Sequence, residues 1–208
     1  MSTSATARRA MHLAQLQPAD DLLGRDSLAL LLGMMLDQQV PMEKAFRGPY
    51  DLARRLGGEL DATAIAGLDT DRLIEHFLGP PALHRFPAAM ARRAQALCQL
   101  LVDRYDGDAT AVWSATDATV VLRRLQELPG FGPSKARIFL ALLGKQYGVR
   151  PRGWRAAAGP VGAANVYLSV ADIVDGSSLA LVRAAKKEQK AAARAAAGAG
   201  AAKAAASS

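Results

Sequence analysis

Apolar and polar residues follow one another along the chain with the spacing of helices that are separated by Gly- and Pro-containing breaks. Alanine, leucine and arginine dominate, and the alternation of Val, Ile, Thr and Tyr that is typical of strands is nearly absent. Between His84 and Tyr105, apolar residues recur every three or four positions with arginines between them. This spacing predicts an amphipathic helix with a partly basic outer surface. The pattern as a whole predicts an all-α fold.

The other helices are expected between residues that favour helix ends. Their expected ranges are 27–40, capped by Ser27; 41–56, opened by Pro41; 69–78, capped by Asp69; 117–127; and 133–146. The last helix contains the apolar run IFLALL and is expected at the centre of the core. The alanine-rich segment from Ala184 onward is expected to fray or to be disordered.

The composition bounds the domain organisation. The 208 residues are 50% hydrophobic and 22% charged, which is enough apolar material for one core or two small ones. We expect an N-terminal arm and first helix over residues 1–24, one folded domain over residues 25–182, and a basic, alanine-rich tail over residues 183–208. The sequence leaves open whether the domain divides into two lobes.

Cysteine content and hydropathy exclude several classes of protein. Cys98 is the only cysteine, so an intramolecular disulfide, a four-cysteine zinc site and a four-thiolate iron–sulfur cluster are excluded. The longest apolar run, Leu28 to Leu36, is far shorter than the roughly 20 residues that span a bilayer. The N-terminus lacks the apolar region of a secretory signal. We therefore expect a cytoplasmic protein without a transmembrane helix.

The positive charge is concentrated in the second half of the chain. Residues 1–127 contain 14 basic and 16 acidic side chains, whereas residues 128–208 contain 12 basic and 3 acidic ones. The stretch from Leu128 to Ala171 has six basic residues and no acid. Such a stretch favours a polyanion as partner, and a basic solvated surface is the alternative.

The segment LPGFGPSKA, between two predicted helices, carries the most specific chemistry. Gly130 and Gly132 can adopt positive φ and can bring bare backbone close to another molecule. The amides of these glycines and of Ser134 would then face outward at a helix N-terminus, where a phosphate binds favourably. Lys135 and Arg137 add positive charge beside them. An ordinary turn between two helices is the alternative.

Three segments together resemble a known family. They are LPGFGPSKA, LLGMMLDQQVPMEKAF and, more weakly, MARRAQALCQLLVDRYDG. In this order they are similar to segments of the helix-hairpin-helix DNA glycosylases of base excision repair, the HhH-GPD superfamily, which includes endonuclease III and the 3-methyladenine DNA glycosylases. The resemblance covers roughly residues 25–155.

The resemblance implies a fold of two helical lobes with a cleft between them. The hairpin unit, residues 117–147, would grip one strand of double-stranded DNA, and a damaged base would be flipped into the cleft. A monovalent cation on the hairpin carbonyls of Leu128, Gly130 and Phe131 is also implied, and we expect no other cofactor. We expect a monomer bound to duplex DNA.

The sequence departs from the family at both catalytic positions. Ser134 stands where bifunctional members have a lysine nucleophile, so we expect no strand cleavage at abasic sites. Arg152 stands near the expected position of the catalytic aspartate. Asp37, Asp172 and Asp175 are the acids that could replace that carboxylate, of which Asp37 and Asp172 are the candidates, and helix capping is the alternative role for each. The two functional hypotheses are therefore a monofunctional DNA glycosylase and a DNA- or lesion-binding protein that has lost base excision.

Four further residues are candidates for a base pocket. Gln38 and Gln39 would contact a flipped base or its complement, or would tie down a helix end. Tyr147 and Trp154 would stack on a base, or would belong to the core. The three histidines are scattered along the chain, so we expect no metal site.

Overall fold

The computed structural model describes residues 10–205, with side chains described through residue 192. This part of the chain is helical and contains no β-strand, which confirms the predicted all-α class. None of its helices is both long and apolar enough to cross a membrane. The α-helices are α1 Gln17–Arg25, α2 Ser27–Leu36, α3 Met42–Arg55, α4 Ala62–Gly67, α5 Thr70–Leu78, α6 Pro87–Tyr105, α7 Ala118–Gln126, α8 Pro133–Lys145, α9 Trp154–Ala158 and α10 Gly176–Ala205.

Two apolar helices lie at the centre of the packing. Every residue of α2 from Leu28 to Leu36 is buried, because this helix is covered by α1 and α3 and also touches α6. In α8, the residues from Phe139 to Gly144 are buried against α7, α9 and two short 3-10 turns, 159–162 and 170–172. The basic helix α6 packs on α4 and α5. The C-terminal end of α2 and the N-terminal end of α8 lie close together, since the Lys135 ammonium of α8 donates a hydrogen bond to the Met35 carbonyl of α2.

Several helix ends differ from the predicted ones. Asp26, not Ser27, caps α2, because its carboxylate accepts the Ala29 N–H at 3.0 Å. The same helix ends at Leu36 and not near Val40, because Asp37 leaves the helical conformation with a ψ of 74°, and Gln39 then adopts a left-handed φ of 55°. Helix α6 begins at Pro87, three residues after His84. Helix α4, capped by Asp61, was not predicted.

The C-terminal segment also differs from its prediction. Instead of fraying from Ala184, helix α10 continues to Ala205, so the expected boundary between residues 182 and 183 falls inside one helix. Leu179 and Val182 are buried, so the first turns of this helix pack on the core. Arg183 then pairs with the Glu43 carboxylate of α3. The start of the basic tail is therefore attached to the domain.

Candidate nucleic-acid interface

A tight turn joins α7 to α8. The Phe131 N–H donates a hydrogen bond to the Leu128 carbonyl at 3.0 Å, and Gly130 has a φ of 87°. Proline at the second position and a glycine with positive φ at the third are typical of a type II turn. Gly132 does not use its freedom to adopt positive φ, because its φ of −75° and ψ of 172° are extended values that any residue adopts.

The turn leaves the N-terminus of α8 open. Pro133 is the first helical residue, and the Ala136 N–H donates to the Gly132 carbonyl at 3.0 Å. The amides of Gly130, Gly132 and Ser134 donate to no acceptor in the part of the chain that the structure describes. A Cβ added at Gly132 would meet nothing within 4 Å. The positive end of the helix dipole therefore carries amides without an acceptor, and Gly132 and Ser134 are exposed there.

Side chains of α2 and α6 hold the turn from behind. A Cβ at Gly130 would lie 2.8 Å from Arg93 Cδ and 3.2 Å from Met35 Cγ, so the backbone approaches both side chains closely. Phe131 is buried and makes an edge-on contact with Phe139, with ring centroids 5.6 Å apart. The turn is thus fixed against α2, α6 and α8. Of its two glycines, only Gly132 has open space at the Cβ position.

Lys135 does not contribute to the outer surface as predicted. Its ammonium donates a hydrogen bond to the Met35 carbonyl at 3.0 Å, at the C-terminal end of α2. Burial lowers the pKa of Lys135 to about 8, although Asp37 acts in the opposite direction. Arg137 and Ser134 are exposed beside the open amides. The positive charge available to a phosphate at this surface therefore comes from Arg137 and the helix dipole.

Asp37 lies where α2 ends and close to Lys135. Burial raises the pKa of the Asp37 carboxyl above its usual value, and the charges of Lys186 and Lys135 counteract part of that rise. Among the described residues no side chain donates a hydrogen bond to this carboxylate. A carboxylate that is desolvated, near cations and unbonded is chemically available, unlike a capping aspartate.

The two glutamines of the predicted motif have different environments. Gln38 donates from Nε2 to the Met35 carbonyl at 2.9 Å and accepts from Arg93 Nη1 at 3.1 Å. These bonds tie down the end of α2, which is one of the two roles that the sequence allows for Gln38. Gln39 is exposed, with its backbone in the left-handed region. Only Gln39 therefore remains free to contact a base.

An exposed aromatic ring lies beside this motif and was not predicted. The Phe86 N–H donates to His84 Nδ1 at 3.1 Å, so His84 Nε2–H donates to the Gln38 carbonyl at 2.8 Å. Burial lowers the pKa of His84. Phe86 itself is 44% exposed, and the Arg85 guanidinium lies 4.6 Å from its ring centre. An aromatic residue directly before a helix-opening proline, in the string HRFP, was the available sequence signal.

The other predicted site residues lie at the opposite end of α8. Tyr147 and Trp154 are buried, and the Trp154 ring packs so closely on Gly144 that a Cβ there would lie 2.5 Å from it. Both belong to the core, which is the alternative role that the sequence left open for them. A helix of 13 residues is about 20 Å long. These residues are therefore distant from the hairpin.

Asp172 has a structural role. Its carboxylate pairs with the Lys145 ammonium at 2.5 Å and accepts the N–H groups of Leu168 and Ser169 at 2.9 and 3.0 Å. Arg152 lies beside the first residues of α7, because its guanidinium pairs with the Asp117 carboxylate that caps this helix, at 3.1 Å. No group of three or more His, Cys, Asp or Glu residues that could hold a metal occurs in the described region. Asp37 is therefore the candidate carboxylate that lies near the hairpin.

No protein-family model, curated protein or solved structure matches the chain. Function is therefore inferred from the chain's own residues.

Proposed function

We propose that the protein binds double-stranded DNA through the turn at 128–132 and the start of α8, as a base excision repair protein. The open amides of Gly130, Gly132 and Ser134 carry the proposal, because they offer several donors to one phosphate oxygen at the positive end of a helix. The carbonyls of Leu128, Gly130 and Phe131 are the proposed ligands of a monovalent cation between turn and phosphate. The two-lobed fold and a cytoplasmic monomer belong to the same proposal.

The proposed activity is that of a monofunctional DNA glycosylase with Asp37 as its carboxylate. Cleavage of a glycosidic bond develops positive charge on the sugar, and an ionised carboxylate close to that charge stabilises it. Burial raises the pKa of the Asp37 carboxyl, and the charges of Lys186 and Lys135 favour the ionised form by opposing part of that rise. Gln39 is exposed next to this carboxylate in the chain and would contact the flipped base. Ser134 cannot form a Schiff base, so strand cleavage is not proposed.

One observation favours the second candidate function, a DNA- or lesion-binding protein without base excision. The best-formed cavities among the described residues, which include two of about 620 and 490 Å³, are not lined by Asp37, Gln38 or Lys135. A flipped base needs a pocket beside its carboxylate. The two functions therefore differ in whether DNA binding opens such a pocket at Asp37.

Single-turnover incubation with damaged duplexes tests the activity. The panel contains duplexes with one uracil, hypoxanthine, 3-methyladenine, 8-oxoguanine or abasic site, and base release and binding are followed in parallel. Asp37→Asn is compared with Glu188→Gln, which makes the same change of net charge at an exposed position of α10. We expect release of at least one base by the wild type and by Glu188→Gln, and loss of that release in Asp37→Asn.

The outcomes separate the two functions. Tight duplex binding without release of any base contradicts the glycosylase and supports the binding protein. If Asp37→Asn still releases the base, the assignment of Asp37 as the carboxylate of the glycosylase is contradicted. Absence of duplex binding contradicts both functions.

A further inference from the structure

A further pocket lies at the C-terminal end of α8, about 20 Å from the hairpin by the length of that 13-residue helix. Its volume is about 310 Å³, at the lower end of the range for small-ligand sites. The side chains that matter for its chemistry are Lys145, Arg150, Arg155, Asn165, Tyr167 and Val174. None of them takes part in the proposed DNA grip.

The pocket has an excess of positive charge. The Asp172 carboxylate also lines it, but the Lys145 ammonium neutralises this carboxylate at 2.5 Å. Arg150 donates from Nε to the Gly144 carbonyl at 3.0 Å, and the Arg155 guanidinium lies 4.5 Å from the Trp154 ring centre. Neither arginine pairs with a carboxylate among the described residues. Two guanidinium groups are thus held in place with unused donors.

The same pocket exposes two large apolar side chains. Tyr167 is 40% exposed and Val174 is 53% exposed, and both line the cavity. Exposed aromatic rings beside guanidinium groups offer a stacking surface and an anion site within one small volume. A simple inorganic anion would gain nothing from Tyr167, and an uncharged apolar ligand would leave both arginines without a counterion.

We infer that this pocket binds a nucleotide with an unpaired base, which stacks on Tyr167 while Arg150 and Arg155 hold its phosphate. The base must be unpaired, and the face that meets Tyr167 must not be stacked on another base, because the Tyr167 ring stacks on that face. A free mononucleotide and a single nucleotide within a single strand share this chemistry. The inference does not depend on the proposed DNA glycosylase function, because no residue is common to the two sites.

Titration calorimetry of the full-length protein tests the inference with four probes. They are adenosine 5′-monophosphate, adenosine, inorganic phosphate and single-stranded oligodeoxyadenylate. Tyr167→Ala is compared with Leu78→Ala, which removes a similarly exposed apolar side chain from α5. Arg155→Gln removes one charge, and adenosine reports whether that variant loses only the interaction with phosphate.

We expect binding of adenosine 5′-monophosphate or of the oligonucleotide, weakened about 5- to 100-fold by Tyr167→Ala through the lost stack and unchanged in Leu78→Ala. Arg155→Gln should weaken binding of the monophosphate about 10-fold or more and leave adenosine unaffected. Binding of the monophosphate identifies a free nucleotide as sufficient, and Tyr167-dependent binding of the oligonucleotide alone identifies a strand. The inference is overturned if the protein binds neither adenosine 5′-monophosphate nor the oligonucleotide. It is also overturned if Tyr167→Ala does not weaken the binding that is observed.

Discussion

Replacing Gly130 by alanine tests the conformation and packing of the hairpin turn. A left-handed backbone costs an L-residue about 1–2 kcal/mol, and the φ of Gly130 is 87°. The added Cβ would also lie 2.8 Å from Arg93 Cδ, so the arginine must move. That movement would break the hydrogen bond from Arg93 Nη1 to Gln38, which contributes about 1 kcal/mol. We expect Gly130→Ala to lower the free energy of unfolding by about 2–3 kcal/mol.

Gly132→Ala is the matched control in the same turn. The φ of Gly132 is −75° and its Cβ position is open, so alanine introduces neither strain nor contact. Loss of glycine's freedom in the unfolded chain should raise stability by about 0.4–1 kcal/mol. Urea unfolding followed by far-UV circular dichroism measures both variants. Equal stability of Gly130→Ala and Gly132→Ala would refute the turn conformation and its packing against Arg93.

Three further predictions concern charged groups. Lys145→Met should lower the free energy of unfolding by about 3 kcal/mol, because it leaves the Asp172 carboxylate buried without its cation. Arg104→Met breaks the exposed ion pair with Glu127 and should lower it by less than about 1 kcal/mol. Similar losses in urea unfolding would contradict the buried pair. Burial lowers the pKa of His84 in the folded state. The unfolded chain therefore binds more protons, so stability should fall as the pH drops below about 6.5, and less so in His84→Gln. Burial also lowers the pKa of Lys135 from its ordinary value of 10.5 to about 8 in the folded state, so stability should rise between these pH values, and this rise should be absent in Lys135→Met. Thermal unfolding measured across pH checks the predictions for His84 and Lys135. If a variant has the same pH profile of stability as the wild type, the prediction for that residue is contradicted.

The sequence predicted the elements that local patterns determine. Pro133 at the start of α8, Asp69 as the cap of α5 and the end of α6 at Tyr105 follow from side chains that act within one turn of a helix. Gly130 adopts the predicted positive φ for the same local reason, since only glycine suits the third position of that turn. Gly132, which the sequence equally allows to be left-handed, stays extended, because one glycine is sufficient for the reversal.

The rest depends on which helices meet. Lys135 and Ser134 are neighbours in the chain, yet Lys135 turns inward because the start of α8 lies close enough to the end of α2 for its ammonium to reach the Met35 carbonyl. Trp154 fits against Gly144 because α9 folds back on α8, which no local pattern indicates. Asp172 and Asp37 look alike in the sequence. They differ because Lys145 reaches Asp172 from the end of α8, whereas no donor reaches Asp37 among the described residues.

The affinity for duplex DNA of Gly132→Ala, measured by fluorescence anisotropy with a short labelled duplex, tests the central claim most directly. The variant folds without strain, so any loss of affinity reports a ligand that approaches the backbone at this position. Gly67→Ala is the control, because it adds a methyl group in equally open space on α4. We predict that Gly132→Ala weakens binding about 10- to 100-fold through lost hydrogen bonds to phosphate, and that Gly67→Ala does not. Equal affinities of the wild type, Gly132→Ala and Gly67→Ala would contradict a DNA grip at the hairpin.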